Sequence, residues 1–348
     1  MKRKRILEVI PLALVGFGMV MICSSTLFFV VKGRSFTPYL FKVFIHVFLG
    51  VSVFYLVSRM KLSFIERISP LVLGFSILLL VLVVVAGKEV NAAKRWLAVP
   101  GSGFTFQPSE FAKLSLILYL ARYLSRKSGE MRKPRNLLFP LGIIFLVSGL
   151  ILLEPNYSVS VLTLCLGLLM LYLGGANPLH ILMVVVLFVP LGLIHEHVRE
   201  RIQVFINGNV PQVRNSIVAL GSGGIFGVGL GRGKEKLLFI PCPHTDFIFS
   251  VVGEELGFIG TFGLMVVFLL YFINSMRASM DASLLFSKYA GCGLSLMIFL
   301  HFLFHAGVVT GILPPTGIPL PFISYGGSAL MVNLAGAGII LSIARGKG

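Results

Sequence analysis

Long apolar runs broken by short polar stretches set the rhythm of this chain. Ten runs can be placed, at roughly 6–31, 39–58, 69–87, 109–124, 136–153, 156–174, 178–194, 247–275, 286–312 and 319–344. About 20 apolar residues in a helix cross the hydrocarbon core of a bilayer, and the helix satisfies its own backbone donors and acceptors there. The pattern predicts an all-α polytopic membrane protein of about ten transmembrane helices, with residues 1–348 forming a single integral membrane domain. One polar stretch departs from the rhythm. At about 195–246 it runs to roughly fifty residues, well beyond ordinary connections, and loops of that length are usually functional or disordered. The first run follows Met1-Lys2-Arg3-Lys4-Arg5, like the basic start of a signal peptide. It is too long for a signal core and shows no clear cleavage site, so a retained first helix is expected.

Composition narrows the class. With 56% hydrophobic and 12% charged residues, an ordinary soluble domain is excluded. A net charge of +17 would suit nucleic acid if it formed one stripe, but the basic residues lie between apolar runs. Membrane topology and anionic headgroups account for them, and no nucleic-acid partner is expected. Ten spans put both chain ends on one side. The ends and the even-numbered connections carry 17 of the 30 Lys and Arg, and the short odd-numbered ones carry six. Positive residues stay inside, so both termini are expected in the cytoplasm and the 195–246 loop, between helices 7 and 8, outside. That loop holds six further basic residues, which long loops tolerate. Of four cysteines, three sit in apolar runs, so no disulfide framework follows.

Chemistry concentrates where that loop meets the eighth run. Asp246, Glu254 and Glu255 fall within ten residues there, in a chain with only 13 acidic residues. A carboxylate at the membrane boundary is costly unless it is partnered or used. Thr245 or Asp246 also suits a helix cap, which would stabilise the ionised form, whereas burial or the neighbouring glutamates would oppose it. In Gln107-Pro108-Ser109-Glu110-Phe111-Ala112-Lys113, Ser109 can cap the fourth helix and Glu110 can pair with Lys113 three residues on. That pair reads equally as an interfacial anchor or as the charged rim of a cavity. The glycines from Gly221 to Gly233 fit neither a phosphate loop nor a dinucleotide turn, since Val228, Glu235 and Arg232 fall at the required positions. A flexible external hinge is expected, with Arg232, Lys234 and Lys236 able to meet a pyrophosphate by charge. His195 and His197 read as solvated loop residues, and His301 and His305, one helical turn apart, as interhelical hydrogen-bonding groups. Pro314, Pro315, Pro319 and Pro321 cannot all sit in regular helix, so a buried turn or a cavity wall is expected there.

These motifs together resemble the SEDS family of bacterial cell division and elongation, FtsW, RodA and SpoVE. The matching stretches are Ala93-Lys94-Arg95-Trp96, Phe106 to Lys113, Gln212 with Ser216, Gly221-Ser222-Gly223-Gly224, His244-Thr245-Asp246-Phe247, Gly253-Glu254-Glu255-Leu256-Gly257 and Pro319 to Ser328 with Ser324 and Tyr325. Asn91 to Trp96 and Thr105 to Phe111 look more like FtsW than RodA. The resemblance implies a peptidoglycan glycosyltransferase polymerising lipid II into a nascent glycan strand at the outer face of the cytoplasmic (inner) membrane. It implies a class B penicillin-binding protein as transpeptidase partner, within the division or elongation machinery. Asp246 would be the essential carboxylate, with Glu110 and Lys113 paired at the cavity. Lys113, Arg95, Arg214, Arg232 and Lys234 are candidates to meet the leaving pyrophosphate. A divalent cation, magnesium or manganese, is compatible with the reaction, but no dedicated metal ligands stand out. Two stretches depart from the usual pattern: Glu154-Pro155-Asn156 lacks a carboxylate, and His305 stands where Asn is common. A lipid II flippase would share the helix count, but should line a route to the cytoplasmic face with charge.

Overall fold

The computed structural model describes residues 2–26, 37–90, 93–98, 105–194, 199, 203–208, 210–238 and 243–346. A helix lies under each of the ten apolar runs. They are α1 (Lys2–Ser25), α2 (Thr37–Arg59), α3 (Leu62–Ala86), α4 (Pro108–Arg126), α5 (Pro134–Leu153), α6 (Tyr157–Leu173), α7 (Pro178–Ile194), α10 (Ile248–Met280), α11 (Leu285–Val309) and α12 (Gly327–Ala344). The expected loop contributes α8 (Pro211–Ser222) and the single turn α9 (Glu235–Leu238). Among the described residues, seven helices are long and apolar enough to cross a membrane: α1, α2, α3, α5, α10, α11 and α12. α6 and α7 are apolar but have 17 residues each. α4 has 19 residues, and its hydropathy is diluted by Glu110, Lys113, Arg122 and Arg126.

The fold is mostly helical, with one departure from all-α. Between α3 and α4 the chain forms a small antiparallel sheet, β1 (Lys88–Val90), β2 (Ala93–Ala98) and β3 (Thr105–Phe106), in the order β1-β2-β3. Lys88 faces Trp96, and Leu97 faces Phe106. Its strands are too short to show a period against the flanking apolar runs, which hid it from the sequence pattern. Ser109 does not cap α4. Gln107 holds the N-cap position without a side-chain capping bond and Pro108 opens the helix, where its missing N–H costs nothing. His195, Glu196 and His197, Asn91 and Ala92, and Cys242 lie outside the described residues.

The chain divides into two compact units. One comprises Met1–Val53, Glu200–Asn274 and Ile298–Leu334; the other comprises Phe54–Arg199, Ser275–Met297 and Ala335–Gly348. In the second, α3 and α4 are joined by a buried hydroxyl pair, Ser76 and Ser115 at 2.7 Å. Arg122 donates to the Glu66 and Arg67 carbonyls, and Ser342 to that of Met60.

Candidate active site

Asp246 lies in the first unit, in the turn 243–247 that leads into α10. That turn is fastened through its backbone. Tyr325 N–H donates to the His244 carbonyl (3.0 Å), and Ser324 Oγ donates to that of Thr245 (2.7 Å). The same Ser324 oxygen accepts from Leu320 N–H at 2.9 Å, so one hydroxyl also closes the proline-rich turn. That turn is pinned from α11 as well, by His305 Nδ1 at 2.9 Å from the Ile318 carbonyl. A carbonyl can only accept, so this nitrogen carries the proton. Gly317 (φ 67°) sits against the carboxylate: a Cβ there would come within 3.8 Å of Asp246 Oδ2. Asp246 remains partly exposed, while Phe247, Ile248 and Phe249 behind it are buried.

Phe322, in the same turn, adopts φ 66°, a conformation costing about 1–3 kcal/mol for a side chain of this kind. Its ring is buried, edge-on to Tyr271 at 6.1 Å, which gives that cost something to act against. Aromatic rings gather around His244 in the same turn as Asp246. Tyr39 of α2 lies 5.2 Å from His244 and 4.6 Å from Tyr325, and His46 lies 6.0 Å from Tyr325. Burial lowers the His244 pKa to about 4, so at neutral pH the ring is uncharged and adds no cation to the site. A partly exposed carboxylate on a pinned turn, among neutral rings, is equipped to take a proton from a hydroxyl.

Behind this turn α10 is not one continuous helix. It breaks at Gly257 (φ 68°, ψ −163°), and a break leaves backbone groups without helical partners. The glycine-rich loop supplies them. Val228 and Gly229 N–H donate to the Glu254 and Glu255 carbonyls, and Phe258 and Ile259 N–H donate to those of Gly224 and Ile225, all at 2.9–3.2 Å. The approach is too close for side chains: a Cβ on Gly227 (φ 82°) or on Gly257 would run into the opposing backbone. The glycines expected to form a hinge are instead a clip across a broken helix. Glu254 Oε1 accepts the Lys234 and Glu235 amides (2.5 and 3.0 Å), and Glu255, fully buried, pairs with the equally buried Lys236 and with Ser24 of α1. These two carboxylates therefore hold protein groups. Of the other loop residues, Gln212, Arg214, Arg232 and Lys234 are exposed. Ser216 is buried and donates to the Val309 carbonyl at 2.8 Å.

The second unit holds the other charged constellation. Lys113 and Glu110 form a buried ion pair at 2.8 Å. Arg95, in β2 beside the half-buried Trp96, donates to the carbonyls of Glu154 (3.2 Å) and Pro155. The Glu154 side chain is fully buried. Burial raises its pKa to about 8, with the Arg95 charge and the Ser109 hydroxyl pulling the other way. Among the described residues no group of three or more His, Cys, Asp or Glu converges as metal ligands would.

Comparison with known proteins gives this geometry a lineage. Residues 5–347 match the family model for the FtsW, RodA and SpoVE proteins, described as a cell cycle protein family. The chain belongs to the FtsW/RodA/SpoVE family. It is 36% identical over 353 residues to a probable peptidoglycan glycosyltransferase FtsW of Coxiella burnetii, covering 96% of this chain and 94% of that one. It is also 35% identical over 286 residues to stage V sporulation protein E of Bacillus subtilis, covering 79% and 77%. A peptidoglycan synthase complex solved for its coordination of polymerization and crosslinking contains a similar chain, at 27% identity, TM-score 0.81 and coverage of 98% and 97%. The rod shape determining protein RodA of Thermus thermophilus follows at 26%, TM-score 0.75, and coverage of 97% and 95%.

In this FtsW/RodA/SpoVE-family chain, His244, Thr245, Asp246, Ser324 and Tyr325 come together, as do Glu254 and Glu255 behind them, while Glu110, Lys113, Arg95 and Trp96 belong to the other unit. Sequence reasoning missed Ser24, Tyr39, His46 and the burial of Lys236. Only Lys236 offered a signal, as the third basic residue at a spacing of two. The two departures from the family pattern are both buried: Asn156 at the N-cap of α6 and His305 against the proline-rich turn.

Proposed function

We propose that this protein is a peptidoglycan glycosyltransferase that polymerises lipid II at the outer face of the cytoplasmic membrane. The observation that carries it is the partly exposed Asp246 carboxylate on a turn pinned through the His244 and Thr245 carbonyls, in a chain whose relatives bear that activity in their names. The acceptor hydroxyl oxygen bonds to the donor's anomeric carbon as the bond from that carbon to the pyrophosphate oxygen breaks. The hydroxyl proton passes to Asp246, and the electron pair leaves on the polyprenyl pyrophosphate. Arg214, Arg232 and Lys234, exposed on the loop, are the cations assigned to the charge of the leaving group. Lys113 is closed on Glu110, and Arg95 on two carbonyls, so neither is assigned that task.

In this reading ten helices cross the membrane, both termini are cytoplasmic and the 195–246 loop is external. Contacts at or beside the connections support it, because each stays on one side: two join odd-numbered connections, and the third joins the ends of α3 and α4 that adjoin even-numbered ones. Arg95 meets Glu154 and Pro155, Ser324 and Tyr325 meet Thr245 and His244, and Arg122 meets Glu66 and Arg67. The likeness to a chain of a synthase complex supports a crosslinking partner, a class B penicillin-binding protein, and the relatives named FtsW favour division.

The test is polymerisation of labelled lipid II by purified protein, alone and with the partner transpeptidase. Glycan is expected from the wild type and not from Asp246→Asn. Lipid scrambling without polymer would establish the flippase reading instead. A magnesium or manganese ion, where the reaction uses one, would be held by Asp246 and would supply positive charge to the leaving pyrophosphate, and loss of glycan with EDTA, restored by either ion, is its expected signature.

A further inference from the structure

We propose that Lys236 is a positioning residue for this transfer, holding Asp246 in place through a buried ion pair with Glu255, and is not a ligand of the leaving pyrophosphate. This rests on the functional reading above. Three basic residues stand at alternate positions in the loop, and sequence gives them the same chance of meeting an anion. Their surroundings separate them: Arg232 and Lys234 are exposed, whereas Lys236 is 0% exposed. Its ammonium donates to Ser24 Oγ at 2.7 Å and to Glu255 Oε1. Ser24 Oγ lies 2.6 and 2.8 Å from the two Glu255 oxygens, so its proton goes to that carboxylate. The three groups close a ring of hydrogen bonds with no net charge, and a phosphate could enter only by displacing Glu255.

Glu255 ties this ring to the chemistry. It lies near the end of the helical segment 248–256, between the turn carrying Asp246 and the break at Gly257. The glycine clip and the Glu254 carboxylate fix the same end of that segment to loop residues 224–235. Lys236 and Ser24 add the tie to α1. A buried ion pair with one partner removed leaves an uncompensated charge, which is worse than having neither. Loss of Lys236 therefore drives Glu255 toward water and shifts the segment, and Asp246 moves with it. A displacement of about 1 Å at a reacting group costs on the order of a hundredfold in rate.

The experiment compares the full-length protein with Lys236→Met, Glu255→Leu and the double variant, measuring kcat and KM for lipid II and thermal unfolding in the same detergent. Each single variant is expected to lower kcat by about tenfold to a hundredfold, with KM within about twofold, as for loss of placement and not of binding. The double variant, two apolar side chains in place of two charges, is expected to recover to within about threefold of wild type. Should one single variant fail to fold, the double variant and the milder Ser24→Ala still decide. A double variant as inactive as Lys236→Met, a KM rise with kcat intact in that variant, or singles with wild-type kcat would each overturn the proposal. A wild type that makes no glycan would sink the functional reading itself; a wild type that polymerises beside a dead double variant sinks only the role given to Lys236.

Discussion

At the level of single side chains, three carboxylates meet three different fates. Asp246 stays partly open on a pinned turn, Glu255 is closed in an ion pair, and Glu154 is buried beside a guanidinium spent on carbonyls. Asp246→Asn is expected to lower polymerisation by about 10²–10⁴-fold, the range of a lost general base, with unchanged unfolding temperature. Glu154 makes a prediction about pH. Its carboxyl ordinarily ionises near 4.5 and in the fold near 8, so the native state keeps the proton that the unfolded chain has lost. Its stabilisation is complete below 4.5 and drains away as pH rises from 4.5 to 8. Glu154→Gln should therefore gain on wild type in unfolding temperature between pH 5 and pH 8; parallel curves would contradict the assignment. His244 works in the opposite direction, since its lowered pKa removes stability as pH falls from 6.5 toward 4.

Secondary-structure elements show what periodicity can and cannot reveal. Apolar runs announce helices because lipid leaves the backbone no other partner than itself. They did not announce the break in α10, because the immediate neighbours Leu256 and Phe258 are apolar and the missing bonds are supplied by a loop some thirty residues upstream. Glycines look alike in a sequence whether they bend or clip. Gly257→Ala is expected to destabilise by about 1–3 kcal/mol for the backbone conformation alone, with a further penalty for the collision with Ile225 and Gly227. Gly221→Ala, in α8 with open space around its Cβ, should be neutral or stabilising by about 0.4–1 kcal/mol. Unfolding of the two variants in detergent measures the contrast. Equal effects would mean that the clip is a loose hinge after all.

For the molecule as a whole, the prediction is topological. Reporter fusions after Arg67, Arg135 and Lys347 should read as cytoplasmic, and fusions in the exposed loop at Lys234 as external; the reverse pattern would remove Asp246 from the face where the proposed substrate is polymerised. The contacts bearing on this were invisible in the chain because they join connections far apart in sequence, such as Arg95 with Pro155 and Tyr325 with His244.

Composition and periodicity alone determined that this is a helical membrane protein and where its helices run, because burial in lipid imposes the same demand on every span. The family motif alone marked Asp246, because a position beside a helix start suits a capping residue as well as a catalytic one. Which neighbouring charges stay open to a substrate was decided by the tertiary fold. Arg232, Lys234 and Lys236 are basic residues at alternate positions, and only packing three distant segments together buries Lys236 against Glu255 and Ser24 while leaving the other two in water.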